Sequence, residues 1–301
     1  MTAQMTTAER RGYQQICSDN GFMMVVACDQ RGGMRKVLAD TPEAQAAIGV
    51  DILGQTKADI TKFLANKATC VLLDATCAVP AVVDDGVLAR DTGLLIGLDD
   101  SGWDIDENGY RKSILTPGIT ARRVRELGGT GAKLMVYLRP DLPEANAYNV
   151  QIIRDCVADF AAEDLLLVVE ILTYQVDGES DTDYKAAFPD LIVGCARMAL
   201  EVGSKVLKLP YPGTPEACAE ITALCQGVPW AVLSAGVDHE TFVTQVQTAM
   251  DNGASGVIAG RSLWKDCISL DRKVSEERLE KIASARLAEI FTILNAHADK
   301  A

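Results

Sequence analysis

Eight short apolar runs recur along the chain, and most are followed by a longer stretch with a helical apolar period. Uninterrupted apolar runs are typical of strands that are buried on both faces, as in parallel sheets. The predicted strands are residues 22–28, 70–73, 94–98, 132–138, 165–170, 206–209, 230–233 and 256–259. Eight such strands with helical crossovers favour an α/β fold, the (β/α)8 TIM barrel, over a doubly wound sheet.

The stretches between the strands predict helices and one irregular excursion. Apolar residues at helical spacing predict helices over residues 145–162, 191–201, 215–225, 241–252 and 276–297. Asp238 is suited to begin the fourth of these helices and Gly253 to end it. The polar residues 99–113 predict a loop after the third strand. No linker rich in Pro, Gly or Ser interrupts the chain, so we expect one barrel domain over residues 1–301, with an N-terminal and a C-terminal helix.

The charge and cysteine content exclude several classes of partner and location. The formal net charge is -13 and the pI about 4.7, and such a surface repels nucleic acid and anionic membranes. No apolar run is long enough to span a membrane, and the N-terminus has no secretory signal pattern. Nine cysteines without a Cys-x-x-Cys pair indicate a reducing compartment. These features predict a cytoplasmic protein.

Histidine is almost absent, and this restricts the available chemistry. His239 and His297 are the only two, and neither lies in a motif with metal-ligand spacing. Zinc-dependent aldolases and hydrolases usually need two or three imidazole ligands, so we expect neither a metal nor another cofactor. A cysteine nucleophile would also need an activating base, which the chain scarcely offers.

Four predicted strands carry an ionisable residue in or at the end of an apolar run: Asp29, Lys133, Glu170 and Lys208. Taken singly, each has a structural explanation, such as a helix cap for Asp29 or a place at the lower mouth of the barrel for Lys133. In a barrel, however, the fourth, fifth and sixth strands are neighbours, and catalytic groups lie at the carboxyl ends of strands. Two close lysines lower each other's pKa, and a carboxylate between them can transfer protons. This set predicts Schiff-base chemistry, with Lys208 attacking a carbonyl.

The last two predicted strands run into glycine-containing turns. Ser234, Ala235 and Gly236 follow the seventh strand, and Gly260 and Arg261 follow the eighth. Loops at these two places commonly bind phosphate in barrels, because glycine lets backbone N–H groups approach an anion and arginine supplies a fork of donors. The alternative is that both glycines are ordinary turn residues. The two turns together predict an anion site.

Four segments together resemble one enzyme family. They are Cys-Asp-Gln-Arg-Gly-Gly-Met-Arg at residues 28–35, Glu-Ile-Leu-Thr-Tyr at 170–174, Leu-Ser-Ala-Gly-Val at 233–237 and Ala-Gly-Arg-Ser-Leu-Trp at 259–264. The chain resembles, from about residue 20 to residue 270, the class I tagatose-bisphosphate aldolases and the related 6-deoxy-6-sulfofructose-1-phosphate aldolases of sulfoquinovose breakdown. The resemblance implies a (β/α)8 barrel and a homo-oligomer. It also implies reversible cleavage of a ketose 1-phosphate to dihydroxyacetone phosphate and a three-carbon aldehyde.

The resemblance also implies roles for individual residues. Lys208 matches the Schiff-base lysine, Glu170 the general acid/base and Lys133 an assisting lysine. Asp29, the fourth expected catalytic residue, matches the aspartate of the first strand that contacts the substrate hydroxyls. Gln30 and Ala235 are expected substrate contacts, and the C1 phosphate pocket is matched by Ser234, Gly236, Gly260 and Arg261.

Two positions bear on the substrate. Arg139 resembles an arginine of the sulfo-sugar branch, which would face a distal sulfonate or phosphate, although a surface arginine is equally compatible with the sequence. The family usually continues Val-Glu after the Schiff-base lysine, whereas this chain has Leu209-Pro210. Tagatose, fructose and sulfofructose derivatives therefore all fit. A barrel that binds sugar phosphates without cleaving them, a phosphosugar isomerase and a metal-dependent aldolase stay open as alternatives.

Overall fold

Eight parallel strands close into a barrel in the computed structural model, which describes residues 4–298. The barrel order is β1-β10-β9-β8-β7-β6-β3-β2, and the (β/α)8 prediction is confirmed. Each predicted strand agrees with an observed one to within two residues at either end. The barrel strands are β1 (Met23–Ala27), β2 (Cys70–Asp74), β3 (Gly93–Gly97), β6 (Gly131–Tyr137), β7 (Leu166–Leu172), β8 (Leu207–Pro210), β9 (Trp230–Leu233) and β10 (Gly256–Ala259).

The burial of both strand faces explains the uninterrupted apolar runs. Along β1, Met23 and Val25 pack inside the barrel, whereas Met24 and Val26 pack outward against the helices. This alternation follows from the two-residue period of a strand. All positions of the eight barrel strands except Met135 and Leu172 are buried. Burying a polar side chain on one of these strands therefore costs free energy unless the side chain has a partner.

Helices surround the barrel: α1 (Thr7–Gln15), α2 (Gly32–Leu38), α3 (Pro42–Ala46), α4 (Val50–Phe63), α5 (Ala121–Glu126), α6 (Ala147–Ala162), α7 (Asp181–Glu201), α8 (Pro215–Cys225), α9 (His239–Asp251), α10 (Arg261–Trp264), α11 (Arg272–Arg278) and α12 (Ser284–Ala296). The predicted cap of α9 is confirmed, because the Asp238 side chain accepts the Thr241 N–H at 2.9 Å. Helix α7 begins ten residues earlier than predicted, since Ser180 caps it. The last predicted helix is interrupted by a π-helical turn, Leu279–Ala283.

The polar stretch after the third barrel strand was wrongly predicted to be irregular. It forms an antiparallel hairpin of β4 (Asp99–Ile105) and β5 (Arg111–Leu115). Asp106 closes its turn by accepting the N–H groups of Asn108 and Tyr110 at 2.8 and 2.9 Å. The hairpin is anchored to the barrel through Ser113, whose hydroxyl accepts the Tyr137 N–H at 3.1 Å. Most hairpin residues are exposed or half-buried, and for this reason the segment is as polar in sequence as a loop.

The ends of the predicted domain extend beyond the described residues. Residues 1–3 and 299–301 lie outside them, and the first and last helices of the described residues are α1 and α12. Helix α1 lies against β7 near its amino end, where Glu9 pairs with Lys205 at 2.6 Å. Within residues 4–298, no helix combines the length and the hydropathy needed to cross a membrane.

Candidate active site

The closed barrel brings the four predicted charged residues together at its carboxyl mouth, three from neighbouring strands and Asp29 from across the barrel. Glu170 on β7 is in register with Lys208 on β8 and with Met135 on β6. Lys133 lies two residues before Met135, so its side chain points into the barrel from the same side of β6. Asp29 follows β1 by two residues, slightly beyond the strand end that the sequence predicted.

These side chains form one connected ionic group. Lys208 Nζ donates to Glu170 Oε2 at 2.8 Å, and Lys133 Nζ lies 3.3 Å from the same oxygen. Lys133 Nζ is also 2.7 Å from Asp29 Oδ2. Both ammonium groups are almost completely buried, with side chains 2% exposed for Lys133 and 5% for Lys208. A place for Lys133 at the lower mouth is therefore excluded.

A third carboxylate, which the sequence reasoning missed, completes the group. Asp99, the first residue of the hairpin, lies with Oδ1 2.6 Å from Lys133 Nζ. The same oxygen accepts the Met135 N–H at 3.1 Å. A signal was present, because Asp99 follows the apolar run of the third strand just as Asp29 follows the first. It was assigned to the polar excursion instead.

The surrounding charges decide the protonation of the group. Burial opposes the charged form of Lys133, but Asp29, Asp99 and Glu170 outweigh it and raise the pKa of Lys133 well above its ordinary value. The expectation that the two lysines lower each other's pKa is therefore wrong for Lys133. Burial also opposes the charged form of Asp29, yet the attraction of Lys133 and Lys208 holds the pKa of Asp29 below its ordinary value.

One half of the mouth is a cavity of about 200 Å³ formed by the two predicted anion-binding turns. Its walls include Ser234, Ala235, Gly236, Gly260 and Arg261, and Lys208 lies at its edge. Ala235 and Gly236 have φ values of 47° and 83°, so two successive residues adopt the left-handed conformation. For alanine this conformation is strained, and such strain is concentrated at functional sites.

Close packing fixes the position of this half. A Cβ atom on Gly260 would lie 2.4 Å from the Ala27 carbonyl oxygen of β1, so glycine is required there. The Arg261 side chain lies over Gly236 and donates to the Ala235 carbonyl oxygen at 3.4 Å. Lys265 Nζ supports the turn from outside by donating to the Gly236 carbonyl oxygen at 2.6 Å.

The other half of the mouth is a cleft of about 480 Å³ beneath the hairpin. It is lined by Arg31, Lys36, Trp103 and Tyr137 together with the ionic group. The Arg111 guanidinium stacks 3.8 Å from the ring centre of Trp103 and 5.1 Å from that of Tyr137. This stacking holds the hairpin against β6 and gives the cleft a rigid aromatic wall.

Two buried acceptors beside the ionic group have no hydrogen-bond partner among residues 4–298: Asp29 Oδ1 and Gln30 Oε1. Both residues line the cleft. A buried acceptor without a donor is costly, so its presence at a cavity wall is suited to a ligand that brings hydroxyl donors.

Arg139 lies outside both halves of the mouth, and the prediction that it contacts substrate has no support in its position. Its guanidinium is paired with Asp141 at 2.7 Å and Glu179 at 2.8 Å, and it donates to the Tyr174 carbonyl oxygen at 2.7 Å. The side chain is 2% exposed. The Arg139 side chain connects the loop that follows β6 to the loop that follows β7, and none of its N–H groups is directed at the cavity. The sequence did not show that its partners would converge from two loops.

Replacing Arg139 with methionine is therefore expected to change stability rather than catalysis. The change leaves Glu179, 14% exposed, without its partner, whereas Asp141, 44% exposed, remains partly solvated. We expect the free energy of unfolding to fall by roughly 2 to 4 kcal/mol. Urea unfolding measures this loss. A KM raised more than about tenfold in the folded variant would instead indicate a substrate contact.

The cysteines have the environment of structural residues. All nine are free, and eight are buried. Burial raises the pKa of Cys77 to about 11 although Lys57 lies nearby. A thiol with a raised pKa is a poor nucleophile at neutral pH. Over residues 4–298, no group of three or more His, Cys, Asp or Glu side chains is arranged to hold a metal ion.

Sequence comparisons find one matching family model and several similar proteins. Residues 23–266 match the model of the DeoC/LacD family aldolases. The chain is 26% identical to a tagatose 1,6-diphosphate aldolase of Listeria innocua, over 99% of this chain and 93% of the relative. A Lactococcus lactis enzyme of the same name is 24% identical, over 86% of each chain.

Solved structures show the same fold. A fructose-bisphosphate aldolase from Slackia heliotrinireducens has a TM-score of 0.66 and 17% identity, covering 99% of this chain and 93% of its own. An archaeal fructose-1,6-bisphosphate aldolase, whose catalytic lysine is covalently bound to the carbinolamine intermediate of the substrate, has a TM-score of 0.62. It is 18% identical and covers 93% of this chain and 98% of its own.

Proposed function

We propose that this chain, which belongs to the DeoC/LacD family of aldolases, cleaves a ketose 1-phosphate through a Schiff base on Lys208. The chain is thus an aldolase, a carbon–carbon lyase. The observation that carries the proposed mechanism is the buried contact of 2.8 Å between Lys208 Nζ and Glu170 Oε2 beside an anion-type cavity. A nucleophile within hydrogen-bond reach of a base is the arrangement that covalent catalysis requires.

The first step forms the covalent bond. Lys208 passes one ammonium proton to Glu170, and its neutral amine attacks the C2 carbonyl carbon of the substrate. The second proton that the nitrogen loses goes to the carbonyl oxygen, which becomes the hydroxyl group of the carbinolamine. The resulting carbinolamine loses its hydroxyl group as water after Glu170 returns a proton to it. The product is an iminium ion, which withdraws electrons from C3.

The second step breaks the C3–C4 bond. Glu170 removes the proton of the C4 hydroxyl, the aldehyde leaves, and the C3–C4 bonding electrons form an enamine with the iminium group. Protonation of C3 and hydrolysis then release dihydroxyacetone phosphate and free Lys208. Asp29 Oδ1 and Gln30 Oε1, the unpaired acceptors at the cleft wall, are suited to bind the sugar hydroxyls.

The C1 phosphate would occupy the smaller cavity, next to Lys208. There the left-handed turn at Ala235 and Gly236 and the Arg261 guanidinium meet the edge of the ionic group. A phosphate held here places C2 of a ketose within reach of Lys208, because only one carbon separates the phosphate ester from the carbonyl. Anchoring of this kind supplies a large part of the rate by orienting the reacting atoms.

Substituting Arg261 with methionine is expected to weaken phosphate binding more than chemistry. Loss of a charge-assisted contact should raise KM about 10- to 100-fold and change kcat less. Inorganic phosphate should also become a weaker competitive inhibitor. Arg278→Met, an exposed arginine on α11, is the matched control. An unchanged KM in Arg261→Met would show that the C1 phosphate does not bind in this cavity.

The distal end of the substrate would lie in the larger cleft. Arg31 and Lys36 are the cationic residues of its wall that belong neither to the ionic group nor to the phosphate turns, so they are better placed than Arg139 to meet a C6 phosphate or sulfonate. Arg31 Nη2 lies 2.9 Å from Oδ1 of Asp100, whose side chain is 41% exposed. Both tagatose or fructose 1,6-bisphosphate and 6-sulfofructose 1-phosphate therefore fit the proposal.

A panel of ketose 1-phosphates tests the proposed function. The substrates differ in C4 configuration and in bearing a hydroxyl, phosphate or sulfonate at C6, and release of dihydroxyacetone phosphate is measured in a coupled assay. Release from at least one member supports the proposal, and the best C6 group identifies the substrate class. Tight binding without release would instead indicate a barrel that binds sugar phosphates only. The cytoplasmic location and the homo-oligomer stay predictions from the sequence.

A further inference from the structure

Lys133 has more carboxylate partners than its charge requires. Asp29 and Asp99 lie 2.7 and 2.6 Å from its Nζ, and Glu170 lies 3.3 Å away. One carboxylate would neutralise one ammonium group. Burying a surplus carboxylate is costly, which suggests that the third partner has a task beyond neutralisation.

Asp99 is the partner whose position is most firmly determined. Its Oδ1 accepts the Met135 N–H as well as the Lys133 ammonium group. Its carbonyl oxygen accepts Arg31 Nη2 at 3.0 Å and the Thr116 hydroxyl at 3.2 Å. The carboxylate is thus held by β6, while the loop after β1 and the residue that follows β5 hold the Asp99 backbone.

We infer that Asp99 is a positioning residue of the aldolase, which fixes Lys133 as a permanent cation and confines proton transfer to Glu170 and Lys208. This inference rests on the proposed function of Lys208. In that mechanism Glu170 becomes protonated during each turnover and loses its charge. Without Asp99, Lys133 would then keep only Asp29, and its proton would be free to pass to the substrate or to Glu170 across 3.3 Å.

The other ionisable groups around Lys133 agree with this role. It faces Asp29 beyond β1, Asp99 on the hairpin and Glu170 on β7, while Lys208 lies on the far side of Glu170 and Tyr137 follows on its own strand. Burial, assisted by Asp29 and Glu170, raises the pKa of Asp99 against the attraction of Lys133. Strongly perturbed groups of this kind cluster at functional sites.

The experiment compares Asp99→Asn with Asp104→Asn, which removes one exposed carboxylate from the same hairpin. Asparagine keeps an acceptor for the Met135 N–H but not the charge. The protonation of Lys133 is followed by the ¹³Cε shift of labelled lysine between neutral pH and about pH 11. The Lys133 signal is assigned by its absence in Lys133→Met. Activity is measured on the same samples.

Lys133 of the wild type is expected to keep its proton to a higher pH than an ordinary lysine, because three carboxylates surround it, and in Asp99→Asn it should lose that proton at a distinctly lower pH. We expect kcat of Asp99→Asn to fall about tenfold and KM to stay within about threefold. A simple loss of folded protein would lower the active fraction without moving the Lys133 titration. Asp104→Asn should match the wild type in both readouts.

An unchanged Lys133 titration in Asp99→Asn would overturn the inference. If that variant does not fold, a wild-type Lys133 that loses its proton at no higher pH than the exposed lysines of the same sample would overturn it as well. A wild-type enzyme that releases no dihydroxyacetone phosphate would overturn the proposed function instead. In that case the titration still decides whether Asp99 holds Lys133 as a cation.

Discussion

Lys208→Met is expected to lower kcat by about 10⁴-fold or more, because it removes the nucleophile of the proposed reaction. Methionine has a similar length and no charge, so it should fit the buried position within β8. Glu170 keeps Lys133 as a partner in the variant, since Lys133 Nζ lies 3.3 Å from its Oε2. The loss should therefore appear in turnover while the barrel remains folded. Steady-state release of dihydroxyacetone phosphate measures it, and circular dichroism monitors the fold.

A pair of arginine variants separates charge from covalent reactivity. Lys208→Arg keeps a cation next to Glu170, but arginine does not lose its proton at accessible pH and cannot form a Schiff base. Its kcat should fall as far as in Lys208→Met. Lys205→Arg is the matched control, because Lys205 pairs with Glu9 at the opposite end of the barrel. Activity of Lys208→Arg above about one per cent of wild type would contradict a covalent role.

Glu170→Gln is expected to give the second largest effect, a loss of about 10²- to 10⁴-fold in kcat. Glutamine can still hydrogen bond to Lys208 and Lys133, but it cannot accept or return the protons of the proposed cycle. The nucleophile remains, so the variant should still bind dihydroxyacetone phosphate covalently, only more slowly. Single-turnover kinetics with borohydride trapping would show this slow formation.

Glu163→Gln provides the control for that variant. Glu163 lies just before the amino end of β7, is 30% exposed and faces Arg125 at 3.4 Å, so its loss should leave kcat within about twofold. A Glu170→Gln enzyme with kcat within tenfold of wild type would show that another group transfers the protons. Asp29, which also touches Lys133, would then be the next residue to replace.

The barrel was predictable because its strands are buried on both faces. That burial leaves few polar positions in the strands, so the apolar runs mark the strand bounds directly, as at Trp230–Leu233 and Gly256–Ala259. The hairpin was missed for the converse reason. Its strands are half solvated, and contacts far along the chain stabilise it, such as the one between Ser113 and Tyr137. The sequence of the segment itself does not reveal these partners.

The candidate site was also predictable only where a residue stands out from its own segment, and not where its partners lie far along the chain. Charged residues on apolar strands, such as Lys133 and Glu170, stand out from their neighbours, so the sequence alone marks them as candidates. Asp99 was hidden among the other acids of the hairpin, and the partners of Arg139 come from two separate loops. The protonation of Lys133 was predicted with the wrong sign, because two lysines were considered without the third carboxylate around them.

Borohydride trapping is the most direct test of the Schiff base on Lys208. The wild-type enzyme is incubated with dihydroxyacetone phosphate, reduced with borohydride and digested, and the peptide that contains Lys208 is examined by mass spectrometry. We predict a covalent adduct on Lys208 that is absent without borohydride and absent in Lys208→Arg. An enzyme that releases dihydroxyacetone phosphate from its substrate, yet carries no adduct on Lys208, would contradict the account.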